Sequence, residues 1–430
     1  MNPTSLQPRA WEGLCALLLW VTLTAAAGWV SFPVWADLVF PIPALVIMLD
    51  ALGPAPLFVR WQVKFSPATN RRIVTVLAAV AAAVACLALV SPTPVHDQTP
   101  VITCAAQDLW HGLDPYNTYE PQCLARLHLN SAGATPLESG PFRQDTRYPP
   151  NLQIESALRT DQLQGKHAGF PAYGYPPLAP LLILPVAFTG WLGISIWVAV
   201  VSALLLLAIW GRKLGDTAPA FAWQICALAL LLALYRWNPE DISYLLLALG
   251  FARIDRARLS SIAIAAAVCS NPLSWPAALV FGVITARLPE RRRRWSWLGG
   301  GIALGVLPWL IWDHDLLAQL WHFVNLREFP FGASLGELAR LPAQSHLLYT
   351  VGLGLGLLCC AFVAWRWPAW RWAMAVVVYG SFLLGWRGLL EYYLPILWLS
   401  PAVVLGACRL SKARGPAPLT DPLPIAAESS

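Results

Sequence analysis

Residues 73–90 read IVTVLAAVAAAVACLALV, and residues 297–312 read WLGGGIALGVLPWLIW. Neither stretch contains a charged side chain. A strand crossing lipid alternates in character and runs for about ten residues. These runs are continuous, so each reads as a helix whose backbone polar groups are satisfied within the segment. Comparable runs recur along the chain, at 11–31, 33–51, 73–91, 176–189, 191–211, 218–235, 239–253, 259–271, 273–287, 296–313, 345–366, 371–386 and 389–408. The composition agrees. Of 430 residues 57% are hydrophobic and 12% charged, and the mean hydropathy is +0.55. A soluble domain carries about 25% charged residues. Half that charge cannot cover a water-facing surface. The expected fold is therefore an all-α polytopic membrane protein with about 11–13 transmembrane helices.

The net charge of +6 does not indicate nucleic acid, because the basic residues are scattered between apolar runs. They report topology instead. Arg60, Lys64, Arg71 and Arg72 form one basic loop. Arg212/Lys213, Arg253/Arg256/Arg258, Arg287 with Arg291 to Arg294, Arg366/Arg371 and Arg409/Lys412/Arg414 form others. Placing these and Arg9 in the cytoplasm puts 20 of the 29 basic residues inside. The N-terminus is then cytoplasmic, the protein lies in the cell membrane, and residues 92–174 and 314–344 face outward. All seven histidines fall on the outer side or at its boundary.

Arg9 followed by the apolar run 14–27 resembles an uncleaved signal anchor, with cleavage after Ala25-Ala26-Ala27 as the alternative. Three divisions follow: two N-terminal helices and a basic loop in 1–72, a helical core in 73–409, and a Pro-rich, disordered cytoplasmic tail in 410–430.

Residues 176–189 fit a re-entrant or interfacial helix better than a span. Pro176, Pro177, Pro180 and Pro185 oppose a straight helix, and a crossing here would put Arg212/Lys213 outside. Residues 239–253 and 259–271 are too short to cross about 30 Å, which points to a cavity lined by broken helices. Cys104 and Cys123 fall in the outward loop, where a disulfide is permitted. Two half-buried thiols are the alternative. The other seven cysteines lie in or beside apolar runs and read as packing residues.

In the outward loop the order is His96-Asp97, a weakly amphipathic helix over 101–111, Gly112-Leu113-Asp114-Pro115-Tyr116, and then Tyr175-Pro176-Pro177-Leu178 with Leu184-Pro185 beyond. This ordered set resembles the GT-C class of membrane glycosyltransferases, in particular glycosyltransferase family 87 and its polyprenyl-phosphate-mannose-dependent relatives. The resemblance covers about residues 73–290. It departs from the family at two places. Asn238-Pro239-Glu240-Asp241 stands where a G-Q-x-N motif is common, and Ser270-Asn271-Pro272 where a Lys-Pro is frequent.

The resemblance implies an inverting transfer of mannose, or another hexose or pentose, from a polyprenyl-phosphate donor to an acceptor hydroxyl on a glycolipid, glycan or protein. Asp97 stands at the position of the catalytic base. The substrate-binding candidates are His96, Tyr116, Tyr175, Arg236, Glu240 and Arg387. Several residues here have a plainer role. His96 reads as a polar neighbour, Asp108 and Asp114 as capping or turn residues, and Tyr175 as an interface anchor. Glu240 and Asp241 suit the positive end of a helix dipole, and Arg387 can pair with Glu391 one turn on. Arg126, Arg143, Arg147, Arg159, Lys166, Arg327 and Arg340 complete the outward basic residues able to meet a phosphate. The Arg291 to Arg294 run reads as a topology and headgroup signal. Some enzymes of this class need a divalent cation, and no ligand set for one is legible. The alternatives are a lipid or solute transporter, disfavoured because Asp37 and Asp50 sit near segment ends rather than mid-span, and a non-catalytic relative acting in envelope assembly.

Overall fold

The computed structural model describes residues 41–53, 98–118, 173–210, 239–312, 346–385, 387–388 and 390–413. It also describes positions 13, 16, 17, 20, 123, 126, 127, 316, 317, 331 and 332. In these the chain is helical. The helices are α1 (Pro41–Leu52), α2 (Gln98–Trp110), α3 (Leu178–Ile183), α4 (Gly190–Trp210), α5 (Glu240–Ala252), α6 (Ala257–Val268), α7 (Trp275–Thr285), α8 (Arg291–Trp312), α9 (His346–Arg366), α10 (Arg371–Val377) and α11 (Pro395–Ala413). Among the described residues the exception is a two-residue parallel pairing, Phe331 with Arg387 and Gly332 with Gly388.

Among the described residues three helices are long and apolar enough to cross a membrane: Gly190–Ile209, Arg291–Trp312 and Leu348–Arg366. Their large side chains face outward from the bundle. Leu304 is 79% exposed, Ile311 77%, and Leu348 and Leu358 63% each, an apolar surface that water would penalise. The runs 73–91 and 218–235 lie outside the described residues, as does most of 11–31. The segment 176–189 is six residues of α3 followed by a 3₁₀ turn, Leu184–Val186, in keeping with its prolines.

Helix α5 is the axis of the packing. Of its 13 residues all but Leu246 are buried, and beyond its acidic first turn it is largely apolar on every side, as suits a central helix. It packs against α4, α6 and α11, while α8 covers α6. The approach to α11 is close because Gly406 lies against the Phe251 carbonyl. Helix α6 stops where Asn271, in extended conformation before Pro272, caps the next turn by accepting from Leu273 N at 2.8 Å. The residue before a proline disfavours the helical region, and Asn is a good cap.

The basic run is not uniform. Arg291, Arg292 and Arg293 are exposed, but Arg294 is 5% exposed and donates to the Ile254 carbonyl at 2.7 Å. One of the four arginines read as a surface signal is therefore an interior tie between the α5–α6 turn and α8. A helix end leaves carbonyls without partners, and an arginine reaching in satisfies one.

Candidate functional site

The site is assembled from the ends of α2 and α5 and the segment 173–178. Helix α2 ends at Gly112, whose φ of +71° is the left-handed conformation glycine adopts without a steric penalty. Leu113 N reaches back to the Asp108 carbonyl at 2.9 Å, and Gly112 N to that of Leu109 at 3.0 Å, a Schellman stop. Asp114 then caps the 3₁₀ turn Pro115–Asn117 by accepting from Tyr116 N at 2.9 Å. This turn delivers Tyr116, 2% exposed, whose phenol donates to the Tyr175 carbonyl at 3.1 Å. Tyr173 N donates to the Thr118 carbonyl at 2.8 Å, and the Tyr173 hydroxyl to that of Pro176 at 3.2 Å. The rings of Tyr116 and Tyr175 lie 5.3 and 5.8 Å from that of Tyr173. The Gly112–Tyr116 and Tyr175–Leu178 motifs are thus one structural unit.

At the head of α5, Glu240 is 3% exposed and Asp241 6%. Gln98, the first residue of α2, orients its amide so that donors meet acceptors. Its Nε2 donates to the two Glu240 oxygens at 2.7 and 2.9 Å, and its Oε1 accepts from the Tyr175 hydroxyl at 2.9 Å. The Tyr244 hydroxyl donates to Glu240 Oε2 at 3.2 Å from one turn along the helix. The carboxylate therefore collects two side-chain donors in addition to the positive helix end, the setting that a buried acid requires. Burial first, then Tyr116 and Glu240, hold the Tyr173 phenol protonated well above the usual tyrosine range. The Leu178 N–H donates to the Cys269 carbonyl at 2.9 Å, which joins this unit to the Ser270-Asn271-Pro272 turn. There the Asn271 amide nitrogen and the Ser274 hydroxyl are buried with no hydrogen-bond partner among the described residues.

Below this cluster Cys104 and Cys123 are bridged, with Cα atoms 5.9 Å apart. Asp108 accepts from Arg126 at 2.7 and 3.3 Å and from the Thr118 hydroxyl at 2.6 Å. Arg126 is therefore engaged in the loop's own scaffold rather than held out for a phosphate, and Asp108 and Asp114 act as tie and cap. A third link runs from Gln107 Nε2 to the Ala187 carbonyl at 2.7 Å.

The structure brings Tyr116, Tyr175 and Glu240 together. Asp97, His96 and Arg236 lie outside the described residues, as do Arg143, Arg147, Arg159, Lys166, Arg327 and Arg340. Asp97 immediately precedes Gln98 in the chain, so a single peptide bond tethers it to the cluster. Arg387 contributes backbone to the parallel pairing, and its side chain and that of Glu391 are outside the described residues. Sequence reasoning did not single out Gln98, Tyr173 or Tyr244. The four-residue spacing of Glu240 and Tyr244 on a helix was a usable signal for the last. Among the described residues no three of His, Cys, Asp and Glu gather as a metal site. Comparison with family models, curated proteins and solved structures returns no match.

Proposed function

We propose that the chain is a polytopic membrane glycosyltransferase of the GT-C type. It moves a sugar from a polyprenyl-phosphate carrier to an acceptor hydroxyl at the outer face, with inversion. One observation carries the reading. Three regions far apart along the chain, the helix following Asp97 with its Gly112–Tyr116 turn, Tyr175–Leu178 and the head of α5, meet in one hydrogen-bonded cluster around Glu240. The first two carry the family resemblance, and the third stands where the family commonly has its G-Q-x-N motif.

The chemistry needs a carboxylate that accepts the acceptor's proton as its oxygen attacks the anomeric carbon. The new C–O bond forms on the face opposite the sugar–phosphate bond. That bond's electron pair leaves on polyprenyl phosphate, and the anomeric configuration inverts. Asp97 is the base in this scheme. Glu240 repels a phosphate, so the cluster belongs to the hydroxyl-bearing side of the reaction. The phosphate belongs with cations, for which Arg236 and Arg387 are the candidates. A lipid-borne donor accounts for the apolar outer faces of α4, α8 and α9.

The test is Asp97→Asn in purified protein reconstituted with a panel of polyprenyl-phosphate sugars. Donor consumption should fall by about 10²–10⁴-fold with the thermal unfolding profile unchanged. Wild-type turnover by the variant overturns the role of Asp97. A wild-type protein that consumes no donor in the panel while it moves lipid or solute across vesicles overturns the transferase reading.

A further inference from the structure

One end of the bundle carries two sets of arginines with different duties. The first set points inward onto the carbonyl ends of helices. Arg253 Nε donates to the Ala208 carbonyl at 2.8 Å, and Arg409 donates to the carbonyls of Ala252 and, at 3.0 Å, Ile209. With Arg294 on Ile254, these cations neutralise the negative ends of α4 and α5.

The second set points outward, and each member lies over an indole. The Arg258 guanidinium sits 4.6 Å from the ring centre of Trp297, Arg287 4.3 Å from Trp365, and Arg366 6.0 Å from Trp367. All three arginines are exposed, and Trp365 and Trp367 are 47% and 46% exposed. Arg258–Trp297 joins the start of α6 to α8, Arg287–Trp365 joins the turn before α8 to the end of α9, and Arg366–Trp367 lies at that same end, so the three share one end of the molecule with Arg253 and Arg409. Arg256, Arg291, Arg292 and Arg293 are exposed beside them. The acids in 252–297 are Asp255 and Glu290, and Glu290 pairs with Arg293 at 3.2 Å. The apolar flanks of α8 and α9 begin next to these pairs, with Trp295 49%, Leu358 63% and Phe362 59% exposed.

A guanidinium resting on an indole face holds a fixed plane and keeps its N–H fork free for a phosphate. An ammonium has no such plane. Aromatic shelf, cation and adjoining acyl-length apolar flank together match one molecule, a phospholipid with an anionic headgroup. We infer that the Arg258–Trp297, Arg287–Trp365 and Arg366–Trp367 pairs form a binding surface for anionic phospholipids, with acyl chains along α8 and α9. The inference rests on the membrane-spanning reading of those helices and not on sugar transfer.

The experiment uses the full chain in nanodiscs of phosphatidylcholine, with and without phosphatidylglycerol, read by native mass spectrometry of retained lipid and by thermal unfolding. Phosphatidylglycerol should be enriched over its share of the disc by about tenfold at each stacked fork, the effect of one charge-assisted hydrogen bond, and should raise the unfolding temperature. The triple variant R258K/R287K/R366K, which keeps the charge and removes the stacked fork, should lose most of that enrichment. R291Q/R292Q/R293Q should keep most of it. Equal retention of both lipids by the wild type overturns the proposal. So does the same rise in unfolding temperature when inorganic phosphate is added to neutral discs, or full enrichment in the lysine variant. If the lysine variant fails to fold, the wild-type lipid and phosphate arms still decide. Failure to enter nanodiscs at all refutes the membrane reading separately.

Discussion

Exchanging Gln98 and Glu240 tests the buried cluster directly. In Glu240→Gln one acceptor oxygen becomes an NH₂ group facing the Gln98 amide nitrogen, which lies 2.7 and 2.9 Å from the two oxygens. One charge-assisted hydrogen bond is lost, about 1.5–3 kcal/mol, and relief of a buried charge returns part of it. A net loss of about 2 kcal/mol follows. Gln98→Glu sets two carboxyl groups within hydrogen-bonding distance in a buried place, so one must take up a proton. Its cost is about 2–3 kcal/mol. Additivity therefore predicts a loss of about 4–5 kcal/mol for the pair. The double variant instead restores amide against carboxylate with the roles reversed, and the Tyr175 hydroxyl can donate to the carboxylate then standing at position 98. A loss of about 2 kcal/mol or less is expected, a coupling of roughly 2–3 kcal/mol. Unfolding by SDS titration in mixed micelles, followed by helical circular dichroism, measures all four proteins. A double variant as unstable as the sum of the singles refutes the network.

Two further perturbations address the scaffold around the cluster. Replacing Cys104 and Cys123 by serine removes a crosslink of 19-residue separation. By the chain-entropy relation this costs about 3 kcal/mol, and limited proteolysis of the 98–127 region should accelerate. An unchanged cleavage rate counts against a structural bridge. A methyl group at position 406 would overlap the Phe251 carbonyl oxygen, which is backbone and cannot rotate away. Gly406→Ala should therefore part α5 from α11 at a cost of about 2–3 kcal/mol, seen as a lower unfolding temperature. A neutral result denies the close approach of the two helices.

Run length and proline content made much of the framework readable. The runs at 191–211, 296–313 and 345–366 correspond to α4, α8 and α9, because a long uncharged stretch has one way to satisfy its backbone in lipid. The prolines of 176–189 foretold a broken segment, and the Gly112–Tyr116 turn carried its own stop and cap. The partners of buried polar groups were not readable. Nothing local tells Gln98 that its acceptor is Glu240, 142 positions later, because that contact is set by how α2 and α5 pack. For the same reason the helix dipole was an incomplete account of Glu240. Arg294 read as surface charge, and Arg126 as a cation open to a phosphate, because composition reports a side chain's type and not its direction or partner. The Cys104–Cys123 pairing stayed open in the sequence because connectivity follows from three-dimensional proximity.

Helix α5 carries the Glu240 cluster at one terminus and meets Arg409 at the other. Its 13 residues rise about 20 Å, against roughly 30 Å for the hydrocarbon slab. On the proposed membrane placement, with the arginine-lined end at one lipid–water boundary and α5 along the membrane normal, the carboxylate sits about 10 Å beneath the opposite one. A reaction centre at that depth is the floor of a well. On the proposed activity, a slender acceptor such as a saccharide terminus or a lipid-anchored sugar can be lowered into it, whereas a hydroxyl flush with the surface of a folded protein stops at the rim.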